Sequence, residues 1–117
     1  MLGNREHEIL DELRPLPGEP VVTKLSASAF SSSNIDALLR NLGVQSLVFT
    51  GVSTSQCVDL TARDAADRGY RCVIVEDGCG AASQRLHDAT CENFRRLLGR
   101  VATSAEVIAE LGGGAGA

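Results

Sequence analysis

Residues 46–77, SLVFTGVSTSQCVDLTARDAADRGYRCVIVED, decide the fold. SLVFTG (46–51) and RCVIVED (71–77) are nearly unbroken apolar runs, the pattern of a strand buried on both faces. Between them, CVDLTARDAADRG (57–69) puts Val58, Thr61, Ala62, Ala65 and Ala66 on one helical stripe, and Gly69 closes the helix. Strand, helix, strand in that order is a crossover unit, and its two strands run parallel beneath the helix.

The same rhythm continues downstream. GCGAAS (78–83) is a loop, a helix spans about 84–98 and carries Leu86, Ala89, Phe94, Leu97 and Leu98, and Gly99 ends it. RVAT (100–103) is a short strand and SAEVIAEL (104–111) a closing helix; GGGAGA (112–117) has the composition of a flexible tail. Upstream, residues 4–14 read as a short helix that PLPGEP (15–20) stops, and VVTKL (21–25) reads as a strand. SASAFSSS (26–33) is a loop. Ser33 then caps a helix carrying Ile35, Leu38, Leu39 and Leu42, with Asp36 as a capping-box acid and Gly43 as its stop.

Alternation of this kind predicts an α/β fold: one domain over residues 1–111, a parallel sheet with helices on both faces, and a tail over 112–117. Ligands of such sheets bind beyond the carboxyl ends of the strands. TKLSASAF, GVSTSQC and EDGCGAAS occupy that rim, so chemistry belongs there.

Composition removes several function classes. The net charge is −4 with arginines scattered, so no basic stripe is available to neutralise phosphates. Phe30, Phe49, Phe94 and Tyr70 are the only aromatics, too few for base stacking. No apolar run approaches a membrane span, and residues 1–14 lack a signal-peptide core, which predicts a soluble cytoplasmic chain with reduced thiols. Cys57, Cys72, Cys79 and Cys91 include no CxxC pair, and no metal or organic cofactor is expected.

Cys57 is the sharpest chemical signal. It opens a helix directly after a strand and turn, where unpaired N–H groups and the helix dipole favour a thiolate and could hold an oxyanion. A small buried residue at a helix start is the competing reading. Lys24, at the end of an apolar strand, projects either onto the rim or into solvent. Cys72 and Cys91 read as core, while Cys79 lies on the rim with its role open. His87 is a surface or capping residue, or half of a Cys–His dyad.

The run VVTKLSASAF…LLRNLGVQSLVFTGVSTSQCVDLTARDAADRGYRCVIVEDGC resembles the isochorismatase-like cysteine hydrolase superfamily over about residues 9–108. That family includes nicotinamidases and enzymes that cleave carbamoyl and ureido groups. The resemblance implies a three-layer α/β/α architecture with a mostly parallel, Rossmann-like sheet, here lacking its N-terminal strands. It implies an Asp–Lys–Cys triad in which Cys57 is the nucleophile and Lys24 the lysine. It also implies a cis Val52–Ser53 bond, an oxyanion held by the Ser53 and Cys57 amides, and substrate contacts from Phe30 and Thr54. The expected substrate is a small amide, carbamoyl or ureido compound, and the expected assembly a homo-oligomer.

The family's Asp-bearing strand has no counterpart here, because Asp11 falls in an expected helix. In the family sheet order 3-2-1-4-5-6, VVTKL would be strand 3 and VFTG strand 4, with the two strands between them missing. A chain of this kind is expected to be a C-terminal portion with little activity of its own, Asp77 being the first substitute carboxylate to examine. The rival expectation is a non-catalytic relic whose exposed sheet edge pairs with another chain.

Overall fold

Alternation along one central strand organises the molecule. In chain order the elements are α1 (Ala29–Ser32), α2 (Ile35–Asn41), β1 (Ser46–Val52), α3 (Asp59–Asp67), β2 (Arg71–Gly80), α4 (Gln84–Leu97), β3 (Arg100–Ala102) and α5 (Ser104–Ala115). This computed structural model describes residues 9–115. The strands form one parallel sheet ordered β1-β2-β3. Successive β2 side chains point to opposite faces. Cys72 and Ile74 join Ala62 and Ala65 of α3, and Cys91 and Phe94 of α4, in the larger core. Val73 and Val75 pack instead with Ala102 and with Val107 of α5. The fold is α/β with helices on both faces, as the apolar runs predict.

Glycines end the helices where the sequence places them. Gly43 (φ 74°) and Gly69 (φ 94°) adopt the left-handed conformation that side chains resist. After α3, the Gly69 N–H bonds to the Ala66 carbonyl and the Tyr70 N–H to the Ala65 carbonyl, the paired bonds of a Schellman closure. Tyr70 is thereby turned into the core beside Phe30, their rings 5.9 Å apart.

Several elements differ from expectation. Residues 1–8 of the expected 4–14 helix lie outside the described residues, and of the remainder only Asp11–Leu13 forms a single 3-10 turn. VVTKL (21–25) forms no strand: β1 pairs only with β2 among the described residues, and Val21 and Leu25 are 67% and 87% exposed. A strand needs a ladder partner, and this segment has none there. Part of the expected 26–33 loop is α1, capped by Ser28, whose hydroxyl accepts from the Phe30 N–H. Asp36 closes no capping box; it accepts from the Tyr70 hydroxyl at 2.7 Å and pairs with Arg40. α5 runs past residue 111 to Ala115, and residues 116–117 lie outside the described residues.

β2 is longer than expected because it passes its neighbour with an irregularity. Phe49 pairs with Ile74, but Gly51 pairs with Cys79 and Val52 with Gly80. The extra β2 residues bulge out at the rim, a common device for re-aiming side chains beside a site. Asp77 sits on this bulge and accepts from both the backbone N–H and the hydroxyl of Ser104 at the start of α5. Those donors, the hydroxyl first, hold its carboxyl below the usual carboxylate range.

Candidate active site

The rim segment between β1 and α3 is not a simple helix start. The Val52–Ser53 peptide bond is cis. Residues Thr54–Val58 then form a π-helical turn, with the Gln56 and Val58 N–H groups both bonded to the Ser53 carbonyl. π turns are rare and recur at functional positions. Cys57 therefore lies inside this turn, one turn before α3 proper, and is half-buried.

Lys24 reaches it from the unpaired segment upstream. Its ammonium donates to the Ser26 carbonyl at 2.7 Å and towards Cys57 Sγ at 3.7 Å. The two side chains share a cleft of about 170 Å³ whose walls include Phe49, Gly51, Val52 and Thr61. The ammonium and the sulfur face one another there, and the cleft is open enough to admit a small ligand.

Phe30 and Thr54, expected to touch substrate, do not line this cleft. Phe30 is buried at 7% exposure among Val58, Ala62, Ala65 and Tyr70, with the Arg68 guanidinium 5.0 Å over its ring. Thr54 is fully buried, and its hydroxyl bonds to His87 Nδ1 at 2.8 Å. Their sequence neighbours are at the rim, but burial turns these two side chains into supports beneath it. The same bond disposes of a Cys57–His87 dyad: His87 holds Thr54 on one side and faces Cys91 Sγ at 3.8 Å on the other.

Carboxylates lie elsewhere. Among the described residues none forms an ion pair with Lys24; Asp59 pairs with Arg63, Asp64 with Arg68, and Asp77 holds Ser104 with both oxygens. Asp77 is therefore committed to α5 rather than free to serve the thiol. A larger hollow of about 580 Å³ opens between the end of β2 and α4, lined by Glu76, Asp77, Cys79, His87 and Asp88. Its acidic walls oppose a thiolate. Burial pushes the Cys79 thiol up, and the Asp77 charge adds to this. Among the described residues, no three His, Cys, Asp or Glu side chains gather as a metal site. No helix there is long and apolar enough to cross a membrane.

The four thiols separate clearly. Burial pushes Cys72 up to about 11 and also raises Cys91, whereas Cys57 is half-exposed beside an ammonium. Substoichiometric iodoacetamide at neutral pH is expected to label Cys57 first, because the thiolate is the nucleophile. Site-resolved mass spectrometry checks this, and labelling led by Cys72, Cys79 or Cys91 would contradict the assignment.

Comparison with known proteins gives a consistent picture. The Isochorismatase domain family matches residues 2–106. A ureidoacrylate amidohydrolase from Variovorax paradoxus is 39% identical over 105 residues, covering 86% of this chain and 40% of that protein. An isochorismatase family protein from Desulfovibrio vulgaris superposes with a TM-score of 0.83 at 33% identity, over 92% of this chain and 58% of that one. A nicotinamidase from Staphylococcus aureus superposes with a TM-score of 0.68 at 26% identity, over 70% of this chain and 52% of that one. The chain thus spans less than two-thirds of the length of these relatives.

Proposed function

The chain belongs to the isochorismatase family, and from that premise we propose that it carries the nucleophilic half of a cysteine amidohydrolase acting on a small amide, carbamoyl or ureido compound. The observation that carries this reading is the Lys24 ammonium 3.7 Å from Cys57 Sγ in an open cleft. The Cys57 thiolate attacks the substrate carbonyl and forms a C–S bond. Backbone amides of Ser53 and Cys57 hold the oxyanion. The C–N bond breaks, the nitrogen takes a proton from solvent and leaves as ammonia or an amine, and water then breaks the thioester C–S bond, releasing the acid and returning the thiol. Lys24 faces the sulfur and balances the negative charge it carries once its proton is removed. The similarity to ureidoacrylate amidohydrolases supports a ureido substrate within this class.

For fast turnover the proton taken from the thiol must be stored and then handed to the leaving nitrogen, which is the work of a general acid–base. No carboxylate among the described residues pairs with Lys24, so slow turnover by the 117-residue chain belongs to the proposal. A cytoplasmic location fits the four free thiols. A second reading, a non-catalytic module that associates with itself, is favoured by the edge of β1, which carries no charged residue and has one ladder partner among the described residues.

Ammonia release from ureido, carbamoyl and carboxamide compounds, measured beside light scattering on a sizing column, tests both readings. Slow release that iodoacetamide abolishes supports the hydrolase. Release unaffected by alkylating Cys57 excludes it, and oligomers devoid of any release favour the second reading.

A further inference from the structure

We propose that Thr61 and Asp64 are positioning residues: they clamp the loop whose Ser26 carbonyl holds the Lys24 ammonium against Cys57 Sγ. This rests on the reading of Lys24 and Cys57 as one reactive unit. The difficulty the clamp answers is that Lys24 lies on a segment with no ladder bonds and with exposed neighbours, Val21 and Leu25. A lysine side chain is long and rotamer-rich, so its head is fixed only if its frame is fixed.

That frame is tied to α3 by side chains. Thr61 Oγ1 accepts from the Ala29 N–H at 3.2 Å and donates to the Ala27 carbonyl at 3.4 Å. One helical turn on, the Asp64 carboxylate accepts from the Ser28 hydroxyl, which itself accepts from the Phe30 N–H. Three consecutive residues, Ala27, Ser28 and Ala29, are thus fastened to one face of the helix that follows Cys57. Thr61 also lines the cleft, so the clamp and the reactive pair share a wall. The exposed contact of Asp64 with Arg68, at 3.7 Å, gives no comparable reason for an acid at this position.

Cys57 alkylation, rather than turnover, tests the clamp. The rate constant for iodoacetamide at Cys57 is measured at pH 7 on the 117-residue chain, site by site, with melting temperatures in parallel. Lys24→Met is expected to slow labelling roughly tenfold, the effect of losing one nearby opposite charge. Thr61→Val is expected to slow it by a similar factor, Thr61→Ser to restore it, and the Lys24→Met/Thr61→Val double variant to be no slower than Lys24→Met alone. Should Thr61→Val fail to fold, Asp64→Ala carries the same cycle on a half-exposed side chain.

A merely structural clamp would slow labelling by the same factor with or without Lys24, or leave it unchanged, and either result overturns the proposal. Failure of amide hydrolysis with the cycle intact removes the functional reading alone; hydrolysis with an additive cycle removes the clamp alone.

Discussion

Replacing Cys57 with alanine is expected to abolish acylation by p-nitrophenyl acetate and any ammonia release from amides, a loss of roughly three orders of magnitude or more. The ester is chosen because its phenolate leaves without a returned proton. It therefore reads the nucleophile separately from the acid–base step, for which no described carboxylate is in place. The substitution removes one half-buried sulfur from a turn whose backbone bonds run through Ser53, Gln56 and Val58, so the fold is expected to survive. Intact mass after ester treatment supplies the measurement. An acetyl adduct of undiminished yield on the alanine variant would show that Cys57 is not the nucleophile.

The second large effect concerns Gly99, between α4 and β3. A Cβ built there would lie 2.5 Å from the Cys72 carbonyl oxygen and 2.8 Å from Phe94 Cε1. The first is backbone of the central strand and the second belongs to a side chain that is 1% exposed, so neither can yield cheaply. Gly99→Ala is expected to destabilise the chain by about 3 kcal/mol, a large part of an ordinary domain's stability of about 5–15 kcal/mol. Thermal unfolding followed by circular dichroism should show a drop of roughly 10 °C in Tm. An unchanged Tm would mean that α4 and β2 are less closely packed than described. Gly112→Ala, where the added Cβ meets nothing within 4 Å, is the matched control.

Gly99 illustrates what the sequence makes legible. A glycine after a periodic helix marks the helix end, and so do Gly43 and Gly69; the apolar runs at 46–51 and 71–77 likewise announce strands, but only the second is buried as expected, since β1 has no buried residue and leaves Val48 and Val52 48% and 76% exposed. These are local signals, and the β1-α3-β2-α4-β3-α5 order follows from them. VVTKL carries the same local signal, but strand identity depends on a neighbour that no local pattern reports. Asp36 reads as a capping acid until Tyr70, 34 residues away, offers it a hydroxyl.

The site divides in the same way. Lys24 and Cys57 are 33 residues apart and come together through the rim rule and the family resemblance, not through periodicity. Phe30 and Thr54 sit in segments beside the rim but are buried, since side-chain burial is settled by packing. The Thr61 and Asp64 clamp had a usable signal. Counted along the helix, Cys57, Thr61 and Asp64 are spaced i, i+4, i+7, which places polar groups on the face that carries Cys57.

The two members of the reactive pair are anchored very differently. Cys57 belongs to a turn held between a sheet strand and a core helix, whereas Lys24 is held through a loop that side-chain bonds fasten to α3. Releasing that loop breaks no ladder bond and leaves Ile74 and Phe94 in the core. Such a release is a local unfolding event with its own free energy, smaller than that of global unfolding. Reactive competence consequently has a stability separate from that of the fold: warming or mild denaturant would disarm the thiol while the sheet and its helices persist.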